Sequence, residues 1–214
     1  MSGVIDTLVC PKITLSSGEP SWDSLSDFDS ALELPLHYLR GPKERFLPAN
    51  VRIGWSGNRF LVLATMTDDE VYTDSKADND ELWALGDVFE IFFRDLAGEE
   101  YYELHTSPAG HRLLLKFPGP TSIYDLRDGV GELTDFMFTG DMLVSRVRKT
   151  ADGWQVLASV DWPQTPIEGR KALISLCRYD YTRGQEEPLL SSTSLHEVVN
   201  YHRQEEWMPV VFAA

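Results

Sequence analysis

Hydrophobic and polar residues alternate with a period of two along much of the chain, as in "RFLVLATMT", "DVFEIFF" and "GWQVLASVDW". This period is typical of β-strands, because successive side chains of a strand point to opposite faces of the sheet. The runs are short and are bounded by Gly, Pro, Asn and Asp. Helical periodicity is confined to "SLSDFDSALEL" and "SLHEVVNYHRQEEW", each long enough for a helical turn. The pattern predicts an all-β chain.

Three pairs of runs are joined by sequences that favour tight β-hairpins. Gly57 and Asn58 lie in the first connection, Asp152 and Gly153 lie in the second, and "LAGEE" forms the third. Gly and Asn tolerate the positive φ angles of such turns. The runs "HRLLLKF", "KALISLCRYDY" and "MPVVFA" supply further strands. Regularly spaced strands predict an antiparallel β-sandwich of the jelly-roll type, formed as one domain by residues 1–214.

The overall charge disfavours two classes of partner. The 214 residues carry a formal net charge of -15, which repels nucleic acid and anionic membrane surfaces. No apolar run approaches the roughly 20 residues that span a membrane. The N-terminal residues resemble no signal peptide, which predicts a cytoplasmic protein; a secreted protein with its signal removed would look the same. The oligomeric state stays open.

Cysteine and histidine usage predicts no disulfide and no zinc site. Cys10 and Cys177 are far apart in a chain long enough to bury a core, so both are predicted to be free, buried thiols. The five histidines are scattered, and phosphate-binding loops and nucleophile elbows are absent.

An acidic loop, Asp68 to Glu81, offers hard oxygen ligands. Its carboxylates, Asp74 and Asp80 among them, are candidates for holding calcium. The spacing is not that of an EF-hand, and a solvated loop without a metal is the alternative. Apart from this calcium, no cofactor is predicted.

Trp83 and two carboxylates are the strongest candidates for a site. Trp83 stands among acidic residues, where its ring could stack on the apolar face of a sugar while carboxylates accept hydrogen bonds from hydroxyls. The alternative is a half-buried Trp covering an edge of the sandwich. Glu90 and Glu103 lie on the two strands of one hairpin and could share a face. Such a pair serves either ligand binding or the acid–base chemistry of a glycoside hydrolase.

The stretch "ELWALGDVFEIFFRDLAGEEYYELHTSPAG" resembles the family 9 carbohydrate-binding modules of the DOMON-like sandwich group. "SWDSL", "FLVLATMTDDEV", "DGWQVLASVDWPQT", "CRYD" and "YHRQEEWMPVVF" are similar to further motifs of that family, in the same order. The resemblance covers about Ser21 to Phe212. It implies a β-sandwich that binds a mono- or oligosaccharide without catalysis.

Residue by residue, the resemblance implies a sugar site. Trp83 falls on the first of two tryptophans that clamp the sugar, Glu90 on a hydroxyl acceptor and His105 on a polar reader of hydroxyls. Arg178 and Tyr179, in "CRYD", complete the predicted carbohydrate-binding set.

The chain departs from the family pattern where the second clamp Trp is expected. Leu189, Leu190 and Ser191 stand there, and the candidates to replace the missing ring are tyrosines. These candidates are Tyr179, Tyr181 and Tyr201. A DOMON-like module with another ligand, such as a partner protein or a haem held by Met66 and His105, is therefore the alternative function. A glycoside hydrolase is the third.

Overall fold

The structure is a computed structural model that describes residues 6–213. These residues form thirteen β-strands, one short α-helix and five 3-10 helices. The strands are β1 Leu8–Cys10, β2 Leu32–Pro35, β3 His37–Arg40, β4 Ala49–Ser56, β5 Arg59–Thr67, β6 Val88–Asp95, β7 Tyr101–Thr106, β8 Arg112–Phe117, β9 Leu143–Thr150, β10 Gly153–Asp161, β11 Lys171–Asp180, β12 Leu189–Ser192 and β13 Met208–Phe212. The α-helix, α1, is Ser122–Arg127, and the 3-10 helices are Trp22–Phe28, Lys43–Arg45, Leu82–Ala84, Leu133–Asp135 and Gln204–Glu206. Both predicted helical turns are confirmed.

The strands form two sheets, which confirms the predicted β-sandwich. One sheet has eight strands in the order β1-β13-β11-β6-β7-β8, with β12 paired to β11 and β3 paired to β12. The other has five strands in the order β2-β4-β5-β10-β9. All of these strand pairs are antiparallel except β1 with β13, which run parallel at one edge of the larger sheet.

The three predicted hairpins are present. Ser56 lies opposite Arg59 across the β4–β5 turn, and Thr150 lies opposite Gly153 across the β9–β10 turn. Gly153 has a φ of 143°, and a Cβ there would lie 2.1 Å from the backbone oxygen of Met66. Only glycine therefore suits this turn, since it avoids both the strained φ and the clash.

The main core lies between the two sheets. It takes one side chain from every second position of the central strands, for example Ile53, Val62, Ile91, Val156 and Leu176. Burying these apolar side chains is the dominant stabilising term of such a fold. The predicted state of the cysteines is confirmed, because both thiols are free and buried.

A second cluster covers the outer face of the eight-stranded sheet. Side chains of β6, β7 and β8 that point away from the main core pack under α1 and under the segment 199–207. An outer sheet face covered only in part by short elements can leave a cavity beside them. Among the described residues, no helix has the length and apolarity that crossing a membrane requires.

Candidate functional site

A cavity of about 560 Å³ opens on the outer face of the eight-stranded sheet. This volume is within the range of small-molecule sites. Glu90 and Glu103 lie at its floor, and Trp83 lines it together with three tyrosines. Aliphatic and aromatic side chains from β8, α1 and the segment after it form much of the remaining wall, and five charged or polar residues also line it: Arg40, Arg127, Glu187, Asn200 and His202.

Strand register brings the carboxylates of the floor together. Glu90 on β6 lies opposite His105 on β7, and Glu103 lies two residues before His105 on the same face. The His105 ring stands between the carboxylates, with Nε2 2.7 Å from Glu103 Oε1 and Nδ1 3.4 Å from Glu90 Oε1. Glu103 Oε2 lies 3.6 Å from Nε2 of His202. It accepts no hydrogen bond from the protein.

The environment shifts the pKa values of the two carboxyl groups in opposite directions. Burial, opposed by His105 and assisted by Glu103, raises the pKa of Glu90 to about 8. Burial also pushes the pKa of Glu103 upward, but His202 and His105 outweigh it and hold that pKa below its ordinary value. Near neutral pH, Glu90 is therefore a neutral acid and Glu103 is a carboxylate.

The pKa values of His105 and His202 are also shifted in opposite directions. Burial works against a charge on His105, but Glu90 and Glu103 overcome it and raise the His105 pKa. Burial lowers the pKa of His202. The raised pKa of His105 and the lowered pKa of Glu103 favour opposite charges at their 2.7 Å contact.

Trp83 lies in the 3-10 helix Leu82–Ala84, just before β6. Its ring is half-buried and meets the His105 ring edge to face, with the ring centroids 5.5 Å apart. The Tyr181 hydroxyl donates a hydrogen bond to the Trp83 carbonyl. Trp83 thus combines the two readings that its sequence left open, since it covers part of the sheet and also faces the cavity.

The three tyrosines that were candidates to replace the second clamp ring all line the cavity. Tyr179, Tyr181 and Tyr201 all contribute to its wall, as does Leu190. Trp207 is buried beneath them, and its Nε1 donates a 2.6 Å hydrogen bond to the Tyr201 carbonyl. The three tyrosines therefore line the cavity, whereas Trp207 belongs to the buried cluster on the outer face of the sheet.

Two predicted site residues do not line the cavity. Arg178 lies opposite Phe89, a residue of the main core, and so points to the other face of the sheet. There its guanidinium is fully buried and lies 3.0 Å from both Asp68 and Asp180. The placement of Arg178 at a sugar site is corrected on this geometry. His105 is also fully buried, and it acts on the cavity through the carboxylates that it contacts.

In the acidic loop, Asp74 and Asp80 accept hydrogen bonds from different partners. The Asp74 carboxylate accepts a hydrogen bond from the Tyr72 hydroxyl, and Asp80 accepts two from the backbone of the loop, at 2.7 and 3.1 Å. Among residues 6–213, the side-chain groups close enough to share a metal include neither aspartate. The calcium prediction rests on the composition of the loop and stays a prediction.

The proposed haem ligands lie on different faces. Met66 is buried in the main core between the sheets, whereas His105 lies on the outer face beside Trp83. They cannot ligate one haem from these positions, so this version of the alternative function is wrong.

The sequence reasoning missed the parts of the site that come from distant segments. His202 was one of five scattered histidines that predicted no metal site, and its place beside Glu103 was not predicted. Ile123 and Leu126 of α1 also line the cavity. Nothing in the local pattern around α1 indicates that it covers β8.

Comparisons with known proteins agree on the fold. No protein-family model and no curated protein sequence matches the chain. A Bacteroides uniformis protein, described as a candidate carbohydrate-binding protein, is 15% identical with a TM-score of 0.72, over 96% of this chain and 98% of its own. A family 9 carbohydrate-binding module from Caldicellulosiruptor kristjanssonii in complex with cellotriose is 10% identical with a TM-score of 0.67, over 98% and 94% of the two chains. The chain has the fold of a family 9 carbohydrate-binding module.

The same Caldicellulosiruptor module has also been solved in complex with glucose, with 11% identity, a TM-score of 0.67 and coverage of 98% and 96%. In this chain Trp83 and Glu90 line the same cavity, and Trp83 is the one Trp among its lining residues. The other aromatic residues that line it include Tyr179, Tyr181 and Tyr201.

Proposed function

We propose that this protein binds a neutral sugar in the cavity, without catalysis, and that glucose and cello-oligosaccharides are the first ligands to test. The observation that carries the proposal is the unpartnered Glu103 Oε2 at the floor of a cavity lined by aromatic rings. A buried acceptor without a partner is costly, and a sugar hydroxyl would satisfy it. Aromatic rings beside it supply stacking surface for the apolar face of a pyranose.

The charge state of the floor supports a neutral ligand. The positive charge favoured on His105 offsets the negative charge of Glu103, at a nitrogen–oxygen distance of 2.7 Å. A carboxylate accepts hydrogen bonds, and the neutral Glu90 can also donate one. Sugar hydroxyls both donate and accept, so they match this combination.

A glycoside hydrolase is the second candidate, because the raised pKa of Glu90 and the lowered pKa of Glu103 are the pattern of an acid and a base. Ligand oxygens of the two residues lie within 4.8 Å of each other, which is comparable with the roughly 5 Å of a retaining enzyme. The geometry nevertheless favours binding, because the His105 ring stands between the two carboxyl groups. Release of nitrophenol from nitrophenyl glycosides, lost in Glu90→Gln, would instead support the hydrolase.

Calorimetric titration with glucose and cellotriose tests the proposal. Wild type should bind at least one of them saturably, and Trp83→Ala should reduce the affinity below detection. Trp22→Ala is the matched control, because Trp22 packs against the outer face of the five-stranded sheet and should leave binding unchanged. Glu103→Gln should weaken binding by about 1.5–3 kcal/mol, the range for a hydrogen bond to a charged group. Equal affinities of all four proteins would contradict the proposal.

A further inference from the structure

The cavity has two chemically different ends. Glu90, His105 and Glu103 lie on the neighbouring strands β6 and β7. On β8, the next strand, Leu115 lies opposite Glu103 and Phe117 lies opposite Tyr101. Among the strand residues of the floor, the carboxyl groups therefore end at β7 and the side chains become apolar on β8.

The apolar end continues into the elements that cover β8. Ile123 and Leu126 of α1 line it, and Leu133 adds a further aliphatic side chain from the 3-10 helix that follows. Val199 lines the cavity from the opposite segment, and 38% of its surface is exposed. Arg127 of α1 and Asn200, next to Val199, are polar lining residues here, but the Arg127 guanidinium donates a 3.2 Å hydrogen bond to Asn200 Oδ1. Burying sugar hydroxyls against the aliphatic side chains between them would be costly.

The size of the cavity fits a ligand longer than one sugar ring. Its volume of about 560 Å³ extends from Trp83 on one side to Leu126 and Leu133 on the other. A monosaccharide held at the carboxylates would leave the apolar end in contact with water. An apolar substituent on the sugar would fill that end and gain the free energy of leaving water.

We infer that the natural ligand is a glycoside with an apolar aglycone, such as an alkyl or aryl group. The sugar lies at Glu90, Glu103 and Trp83, and the aglycone lies over β8 beneath α1. This inference rests on the proposed sugar binding and names the class of ligand for the same cavity.

Calorimetry with methyl β-glucoside and octyl β-glucoside, both below the concentration at which octyl β-glucoside forms micelles, tests the inference. Octyl glucoside should bind about tenfold or more tightly than methyl glucoside, the gain expected when two or more methylenes leave water. An octyl chain attached to an oligoethylene glycol head, which has no sugar, should bind more weakly than octyl glucoside.

Two variants assign that gain to the apolar end. Leu126→Asn and Val199→Asn should each reduce the affinity for octyl glucoside and leave that for methyl glucoside unchanged. Tyr124→Asn is the control on α1, because Tyr124 is 43% exposed and should change neither. Val199 is the safer site, since its exposed side chain contributes little to folding.

The possible failures are distinguishable. Equal affinities for methyl and octyl glucoside would overturn the inference of an apolar aglycone and leave the proposal of sugar binding in place. The octyl gain surviving in both variants would also overturn it. Binding of neither glucoside, or equal binding of octyl glucoside and the octyl oligoethylene glycol, would overturn the sugar proposal and the inference together.

Discussion

Replacing Glu90 with Gln should change how the stability of the protein depends on pH. Glu90 is fully buried, and its pKa is raised to about 8 in the folded protein. In the unfolded chain this carboxyl ionises near its ordinary value of about 4.3. Between these values the folded state holds a proton that the unfolded state has lost. The contribution of Glu90 is therefore fully present at acidic pH and is lost as the pH rises towards 8.

The size of the effect follows from proton linkage. Each proton held only by the folded state lowers the free energy of unfolding by about 1.4 kcal/mol per unit rise in pH. From about pH 6 to pH 8, Glu90 alone contributes a loss of at most about 3 kcal/mol. The raised pKa of His105 acts in the same direction, whereas the lowered pKa of Glu103 stabilises the folded state above its unfolded value and acts when the pH falls.

Gln has the shape of a protonated Glu and does not ionise. The variant should therefore match wild type within about 1 kcal/mol near pH 4, and its advantage in stability should grow as the pH rises towards 8.5. Urea unfolding followed by tryptophan fluorescence at several pH values measures both proteins. Glu99→Gln is the control, because Glu99 is exposed in the β6–β7 turn and should follow wild type. Parallel stability curves for wild type and Glu90→Gln would refute the reasoning.

Two further predictions concern the buried Arg178, on the inner face of the larger sheet, and the acidic loop. Arg178→Met should lower the free energy of unfolding, measured by urea denaturation, by about 3–5 kcal/mol, because it leaves the buried Asp68 unpaired. Arg183→Met removes an exposed ion pair and should have little effect. Equal losses in the two variants would contradict the role of burial. A chelator should lower the melting temperature of wild type through loss of bound calcium, but it should not lower that of the double variant Asp74→Asn, Asp80→Asn. A wild-type melting temperature that is the same with and without chelator would exclude calcium in this loop.

The fold was accessible from the sequence because its signals are local. Alternation with a period of two and a glycine in a turn depend only on neighbouring residues, and these predicted the hairpins. The proximity of Glu90, Glu103 and His105 follows from the β6–β7 hairpin, so that part of the site was predicted as well.

The rest of the site depends on contacts between distant segments. The resemblance of "CRYD" assigned both Arg178 and Tyr179 to the site, but adjacent strand residues point to opposite faces. Tyr201 and His202 reach the cavity from a segment without regular strands, and α1 covers β8 through packing alone. No local pattern encodes such long-range placement.

The indole N–H signals of the six tryptophans, in a proton–nitrogen NMR titration with cellotriose, test the central claim most directly. Trp83→Phe assigns the signal of Trp83, and Trp22→Phe assigns that of Trp22. A sugar bound in the cavity should shift the Trp83 signal saturably and leave the Trp22 signal in place. A titration in which the Trp83 signal stays unmoved, or in which only the Trp22 signal moves, would contradict sugar binding at this site.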